Sequence, residues 1–212
     1  MTDNVQRGLE ASLKLAPVVP VMVIENLEDA VPLARALVQG GLPVLEITLR
    51  TKAAKDCIKA IIAEVEGAIV GTGTVLTHEQ LHLSEKLGCA FAVSPGASPM
   101  LLQAAKNFSV PLLPGAGTPS ESMALLELGY FLQKFFPAEQ SGGAAYLASL
   151  ASPLPQIKFC PTGGITPELA TNYLKLANVI TVGGSWMAPK KLVAEKKWDE
   201  IEKLARVAAQ LK

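Results

Sequence analysis

The segment QKFFPAE places one lysine, Lys134, directly before two aromatic residues, Phe135 and Phe136. Aromatic neighbours of this kind are typical of a buried β-strand, in which an ammonium group cannot easily reach water. Desolvation favours the neutral amine, and the neutral amine is the form that attacks a carbonyl carbon to make an imine. Lys134 is therefore a candidate nucleophile. The alternative is a lysine at a strand end whose side chain reaches solvent.

A second set of polar side chains occurs in the segment VLEITLR, where polar and apolar residues alternate. The alternation predicts a strand with Glu46, Thr48 and Arg50 on one face and leucine or isoleucine on the other. Strands covered on both faces leave no water for such a row, so a shared polar cavity is required. The alternative is a buried ion pair between Glu46 and Arg50.

Two glycine pairs occur late in the chain, Gly163-Gly164 in CPTGGIT and Gly183-Gly184 in VGGSW. Glycines after a strand let the backbone N–H groups approach an anion closely, and Ser185 adds a hydroxyl. These residues predict a phosphate site formed by Gly163, Gly164, Gly184 and Ser185. The alternative is that both pairs only form tight turns between strand and helix.

The segment His78–His82 matches the zinc motif H-E-x-x-H. A third ligand does not follow at the expected spacing. Thr77 and Gln80 instead predict the N-cap and capping box of a surface helix, with Leu83 and Leu87 facing inward. We therefore expect no metal at this segment.

Short runs rich in β-branched residues recur along the chain, each followed by a helix-like segment, which is typical of βα units. These patterns predict a single (β/α)8 barrel domain over residues 1–212, with a short helical extension at the N-terminus and a doubly wound open sheet as the alternative. The active site of such a barrel lies at the carboxyl ends of its strands, where the polar residues above are found. The predicted strands are Val18–Ile24, Val44–Thr48, Ile69–Gly73, Phe91–Ser94, Pro111–Pro114, Gln133–Phe136, Ile157–Thr162 and Ile180–Gly183.

Charge and cysteine content restrict the possible partners and location. The 19 Lys and Arg residues balance 19 Asp and Glu residues, and without a basic tract we expect no binding to nucleic acid. The first apolar run is interrupted by Pro17 and Pro20, so neither a membrane span nor a signal peptide is expected. Cys57, Cys89 and Cys160 lack metal-binding spacing and predict reduced core thiols in a cytoplasmic protein.

The chain also resembles a known family, the 2-keto-3-deoxy-6-phosphogluconate and 4-hydroxy-2-oxoglutarate aldolases. The resemblance covers nearly the whole chain and rests on segments that occur in the family's order: VVPVMVI, LEITLRT, VGTGTVL, AVSPG, PLLPG, KFFPAE, CPTGGI and GGSW. It implies a metal-independent class I aldolase without a cofactor, folded as a (β/α)8 barrel and assembled as a homotrimer. It further implies a small keto-acid phosphate as substrate, with 4-hydroxy-2-oxoglutarate as a second one.

The resemblance also implies roles for individual residues. Lys134 resembles the lysine that forms the imine, and Glu46 resembles the general acid and base. The remaining matches are Arg50 and Thr74 at the pyruvyl carboxylate, Pro95 and Phe136 in the pocket wall, Thr162 near the substrate hydroxyl, and Gly163, Gly164 and Ser185 at the phosphate. Two other enzyme classes stay open at this point, a phosphosugar barrel enzyme without imine chemistry and a zinc peptidase, and a pure binding protein is a further alternative.

Overall fold

The computed structural model describes residues 2–212 and has an α/β fold in which short parallel strands alternate with helices. The strands are Val18–Met22 (β1), Val44–Thr48 (β2), Ile69–Gly73 (β3), Phe91–Val93 (β4), Leu112–Leu113 (β5), Gly115–Ala116 (β6), Leu132–Phe135 (β7), Lys158–Pro161 (β8) and Val182–Gly184 (β9). The helices are Thr2–Leu13 (α1), Leu27–Gln39 (α2), Ala54–Glu64 (α3), His78–Lys86 (α4), Pro99–Ala105 (α5), Pro119–Glu127 (α6), Gly143–Leu150 (α7), Pro167–Leu174 (α8), Lys190–Ala194 (α9) and Trp198–Ala208 (α10).

The strands form a curled, half-barrel arrangement made of two parallel sheets. One sheet has the strand order β5-β4-β3-β2-β1-β9, and the other has the order β6-β7-β8. Two isolated parallel bridges, Phe159 to Val179 and Thr162 to Gly183, connect the region of β8 to that of β9. The carboxyl ends of all these parallel strands consequently face the same side of the molecule.

The strand boundaries agree with the sequence prediction at β2 and β3, which match it at both ends. The predicted strand Pro111–Pro114 is wrong in extent, because strand pairing stops at Pro114 and resumes at Gly115 with a different neighbour, β7. Proline has no N–H to donate to a strand ladder. This break separates the two sheets.

The predicted N-cap of α4, Thr77, is confirmed. The predicted capping-box bond of the Gln80 side chain is made to a different residue. The Thr77 hydroxyl accepts a hydrogen bond from the Gln80 N–H at 3.3 Å. The Gln80 side chain accepts one from the N–H of Leu76 at 2.6 Å, instead of from that of Thr77. The side chain of Gln80 therefore reaches one residue beyond the capping position.

The prediction that Leu83 and Leu87 face inward is confirmed in part. Leu87, directly after α4, is half-buried and packs against the hydrophobic core. Leu83 is only half-buried, and the helix itself buries Leu81 and Ser84. The Ser84 hydroxyl lies 2.6 Å from the hydroxyl of Thr72 on β3. A buried hydroxyl is tolerated when it is hydrogen-bonded, and this bond turns the polar residue toward the sheet.

Helix α1 covers the amino ends of the strands and connects the two sheets. Its residues Leu9 and Leu13 are buried against strand side chains that include Val44 and Phe91. Its Gln6 side chain donates to the carbonyl of Leu112 at 3.0 Å and accepts from the N–H of Leu132 at 3.2 Å. Gln6 thus joins β5 of one sheet to β7 of the other. Among residues 2–212, no helix has both the length and the hydropathy needed to cross a bilayer.

Replacing Gln6 by methionine should destabilise the fold, because the backbone groups of Leu112 and Leu132 would each lose a buried partner. We expect the free energy of unfolding to fall by about 2 kcal/mol or more, measured by urea denaturation at matched protein concentration. Gln39→Met, at an exposed site on α2, is the control and should leave the midpoint unchanged. Equal midpoints for the two variants would contradict the bridging role of Gln6.

Candidate active site

A cavity of about 970 Å³ opens at the carboxyl ends of the strands. Its wall combines strand ends with the loops that follow them, as expected for enzymes with parallel strands. Every residue that the sequence predicts for the site lines this one cavity: Glu46, Arg50, Thr74, Pro95, Lys134, Phe136, Thr162, Gly163, Gly164, Gly184 and Ser185. The structure therefore brings the predicted residues together, although they come from six different strand ends.

Lys134 and Glu46 form an ion pair within the cavity. The Lys134 Nζ lies 3.2 Å from Glu46 Oε1 and 3.5 Å from Oε2. Lys134 is 5% exposed and Glu46 is 4% exposed. The ring of Phe136 lies 5.6 Å from the same Nζ. A buried amine and a buried carboxylate in contact can exchange a proton without the help of bulk water.

This pairing replaces the alternative drawn from the sequence, an ion pair between Glu46 and Arg50. Glu46 bonds to Lys134 of β7 instead. Arg50 follows β2 and is exposed at the cavity wall. Its guanidinium is thus placed where an incoming anion could be bound with two parallel hydrogen bonds.

The carboxylate of Glu46 lies over a glycine on the neighbouring strand. A Cβ atom at Gly73 would be 2.3 Å from Glu46 Oε1 and 2.7 Å from its Cγ. Such a contact is far inside van der Waals distance, so only glycine permits this position of the carboxylate. Gly73 consequently holds open the space that lets Glu46 reach Lys134.

Thr74 follows Gly73 and has a backbone φ of 59°, in the left-handed region. That region is unfavourable for a β-branched residue, and such strain is often found at functional sites. The Leu49 N–H donates to the Gly73 carbonyl at 2.8 Å, so Thr74 and Arg50 follow adjacent, hydrogen-bonded strand ends. Both can therefore contact the same ligand group.

The two glycine turns, at the ends of β8 and β9, lie next to each other in the cavity wall. The bridge between Thr162 and Gly183 joins their strands. Gly163 and Gly164 have φ values of 108° and 75°, which glycine adopts without strain. A Cβ at Gly184 would lie 1.9 Å from an atom of the Trp186 ring. The Trp186 ring therefore packs directly on Gly184, and the glycines of both turns add no side chain of their own to the cavity wall.

Thr162 carries a polar atom that the protein does not satisfy. Among residues 2–212, its Oγ1 is one of the buried side-chain atoms without a hydrogen-bond partner. Thr162 also lines the cavity. This oxygen lies against the backbone of Gly183, where a Cβ would be 2.3 Å from it.

Sequence reasoning missed several residues of the cavity wall, namely Glu25, Asn26, Asp29, Trp186 and Lys190. The Asn26 amide donates to the Asp29 carboxylate at 3.1 Å. The signal that could have found the first three is the polar segment IENLED directly after the first strand, at the position where the other site residues follow theirs.

The cysteines are buried, free thiols, as predicted. Cys160 pairs in register with Lys134, and burial raises the pKa of the Cys160 thiol to about 12. Burial likewise raises the pKa of Cys89 to about 12. A thiol of this kind stays protonated at neutral pH and is a poor nucleophile.

The segment His78–His82 lies on α4 with both histidines exposed. The two imidazole rings lie 5.1 and 6.0 Å from the ring of Phe108. Across residues 2–212, no group of three His, Cys, Asp or Glu side chains is arranged to hold a metal ion. The histidines thus pack as surface residues of a capped helix.

Two known proteins are similar to this chain over nearly its whole length. The KHG/KDPG aldolase of Escherichia coli K12 is 48% identical over 98% of this chain and 97% of its own. The 2-dehydro-3-deoxy-phosphogluconate aldolase of Pseudoalteromonas atlantica is also 48% identical, over 98% of this chain and 97% of its own.

Two solved structures are similar in fold. The KDPG aldolase of Legionella pneumophila, with pyruvate captured as a covalent carbinolamine, has a TM-score of 0.92 at 42% identity and covers 95% of this chain and 98% of its own. The aldolase of Zymomonas mobilis ZM4 with 3-phosphoglycerate has a TM-score of 0.91 at 46% identity and covers 98% of this chain and 97% of its own. The family model for KDPG and KHG aldolase matches residues 9–204, and the chain belongs to that aldolase family.

Proposed function

We propose that this protein is a class I aldolase that cleaves 2-keto-3-deoxy-6-phosphogluconate to pyruvate and glyceraldehyde 3-phosphate. The observation that carries the proposal is the contact between the buried Lys134 amine and the Glu46 carboxylate in the cavity. A positioned amine beside a proton acceptor is the arrangement that imine chemistry requires. The covalent carbinolamine in the Legionella relative supports the same chemistry. Cleavage of 4-hydroxy-2-oxoglutarate to pyruvate and glyoxylate is proposed as a second activity, supported by the dual name of the Escherichia coli relative.

The first half of the reaction joins Lys134 to the substrate. The neutral amine attacks the C2 ketone after its extra proton passes to Glu46, at 3.2 Å. Glu46 then returns this proton to the hydroxyl of the resulting carbinolamine, which leaves as water, so that a protonated imine forms and Glu46 is a carboxylate again. The positive nitrogen then draws electrons from the neighbouring C3–C4 bond.

The second half breaks that bond. The Glu46 carboxylate, directly or through a water molecule, removes the proton of the C4 hydroxyl. The C3–C4 electrons move to the imine nitrogen, which gives an enamine and releases the aldehyde. Glu46 then returns its proton to C3, and hydrolysis of the imine frees pyruvate and regenerates Lys134.

The two charged ends of the substrate are assigned to two different groups of residues in the cavity wall. We assign the pyruvyl carboxylate to Arg50 and Thr74, which follow neighbouring strands. We assign the phosphate to the backbone of Gly163, Gly164 and Gly184 with the Ser185 hydroxyl, which together line the same cavity. We assign Thr162 to the substrate hydroxyl near the bond that breaks, as the family resemblance implies, and Pro95 and Phe136 complete the wall.

Borohydride trapping with pyruvate tests this proposal. Reduction converts the imine into a stable amine, and we expect mass spectrometry of peptides to find the adduct on Lys134. Lys134→Met should form no adduct and should lose turnover. Lys158→Met is the control, because Lys158 bonds to the Ala177 carbonyl on the protein surface. A folded wild-type protein without any adduct would refute imine chemistry and leave a phosphosugar enzyme of another mechanism.

Replacing Gly73 by alanine should impair the acid–base step, because the new methyl group would occupy the position of the Glu46 carboxylate. We expect kcat to fall by about a hundredfold or more, the usual effect of losing a positioned acid or base. Gly96→Ala is a matched control, since a Cβ there meets no atom within 4 Å. Steady-state kinetics of both variants would decide. Unchanged kcat in Gly73→Ala would contradict the proposed seat of Glu46.

We further propose that the two sheets close into one (β/α)8 barrel and that residues 1–212 form a single domain. Three features support closure: β5 and β6 are separated only by Pro114, bridges link β8 to β9, and Gln6 bonds to both sheets. A crystal structure with a lasting gap between β5 and β7 would refute closure, and two separate unfolding transitions would refute a single domain.

A homotrimer in the cytoplasm is the assembly and location we propose. The family resemblance implies the trimer, and apolar side chains exposed after adjacent strands support it, Leu76 at 53% and Met100 at 85%. Three free thiols suit a reducing compartment. Fractionation that finds the protein outside the cytoplasm would refute the location.

Replacing Met100 by glutamate should break up the trimer, because it would place a charge in an apolar interface. We expect sedimentation equilibrium to give three times the chain mass of 22.3 kDa for the wild type and a smaller assembly for the variant. Val207→Glu, at an exposed site on α10, should leave the mass unchanged. A wild-type mass of one chain would contradict the proposal.

A further inference from the structure

Glu139 lies in the turn after β7 and contacts the turn that carries Gly163 and Gly164. Its N–H donates to the Gly163 carbonyl at 3.1 Å, and the Ala138 N–H donates to the Thr162 carbonyl at 2.9 Å. A Cβ at Gly164 would lie 2.9 Å from the Glu139 Cβ and 3.0 Å from its Cγ. The Glu139 side chain therefore packs directly under the second glycine of the turn.

The carboxylate of Glu139 is hydrogen-bonded to a residue of α8, the helix that follows the Gly163–Gly164 turn. The Tyr173 hydroxyl donates a hydrogen bond to Glu139 Oε1, and Tyr173 lies on α8 with no exposed surface. Gly143, at the start of α7, faces this bond without a side chain, and a Cβ there would lie 3.5 Å from Glu139 Oε1 and 3.6 Å from the Tyr173 hydroxyl. Glu139 thus links the Gly163–Gly164 turn to α8.

Tyr173 keeps the proton that it donates to Glu139. Burial, together with the hydrogen bond to Glu139, raises the pKa of Tyr173 well above its usual value. The hydroxyl therefore stays protonated throughout the neutral and mildly alkaline range. A charged acceptor strengthens such a bond relative to one between neutral groups.

We propose that Glu139 and Tyr173 form a positioning pair that fixes the Gly163–Gly164 turn for binding the phosphate group of the substrate. This inference rests on the proposed function and deepens it. Gly163 and Gly164 line the cavity, whereas Glu139 and Tyr173 reach it only through them. The pair accordingly controls recognition of the phosphorylated end and leaves the reaction at Lys134 unaffected.

Two reactions of the same active site separate these contributions. Cleavage of the phosphorylated substrate needs the phosphate site. Exchange of the methyl protons of pyruvate with D₂O, followed by NMR, needs only the imine at Lys134 and the acid–base group Glu46. A variant that disturbs only the glycine turn should change the first reaction through KM and leave the second unchanged.

Tyr173→Phe removes the hydroxyl and keeps the ring. We expect KM for the phosphorylated substrate to rise about tenfold, with kcat and the pyruvate exchange rate within about twofold of the wild type. Tyr146→Phe is the matched control, because its hydroxyl bonds to the Gly117 carbonyl instead. It should leave KM unchanged.

Glu139→Gln tests the other partner, since it keeps the acceptor oxygen and removes the charge. Its KM should lie between those of the wild type and Tyr173→Phe. The double variant Glu139→Gln, Tyr173→Phe should resemble Tyr173→Phe alone, because both changes act on one bond. Additive effects would contradict a shared role.

Other outcomes distinguish this inference from the proposed function. Equal losses of cleavage and exchange in Tyr173→Phe would reduce the pair to general support of the fold and overturn the positioning role. An unchanged KM would overturn it as well. A wild-type protein that neither exchanges pyruvate protons nor forms the borohydride adduct would instead refute the aldolase function itself.

Discussion

The structure depends on one contact, the buried pair of Lys134 and Glu46. Neither group could be buried alone without a large desolvation cost, and each compensates the other. The pair brings together β7 from one sheet and β2 from the other. The fold must therefore hold its two sheets in a fixed relation, and the buried side chain of Gln6 on α1 contributes to this at the opposite end of the strands.

Much of the fold could be predicted because its strands are short, apolar and followed by polar turns. β2 and β3 matched the pattern at both ends. The errors have local causes. Pairing stopped at Pro114 because proline lacks an N–H, and α4 turned Ser84 inward because Thr72 offers its hydroxyl a buried partner. A hydrophobic pattern counts a serine as polar and cannot register such a partner.

That the predicted residues share one cavity was predictable from the sequence, whereas their side-chain contacts were less so. All predicted residues line one cavity because parallel strands end on the same side. The partner of Glu46 was not predictable from residue types, since Arg50 is near in sequence while Lys134 is 88 positions away. The bond between Tyr173 and Glu139 spans 34 positions and was likewise not predictable from residue types. Side-chain pairs of this kind depend on strand order and register, which sequence periodicity does not encode.

Gly73 and Gly184 also limit how this protein can evolve. Each lies beneath a larger side chain, the first beneath Glu46 and the second beneath Trp186. Every other amino acid carries a Cβ atom, so every missense change of these two codons introduces the same clash, however small the new residue. A substitution at either position is therefore tolerated only together with a shift or a change of Glu46 or Trp186.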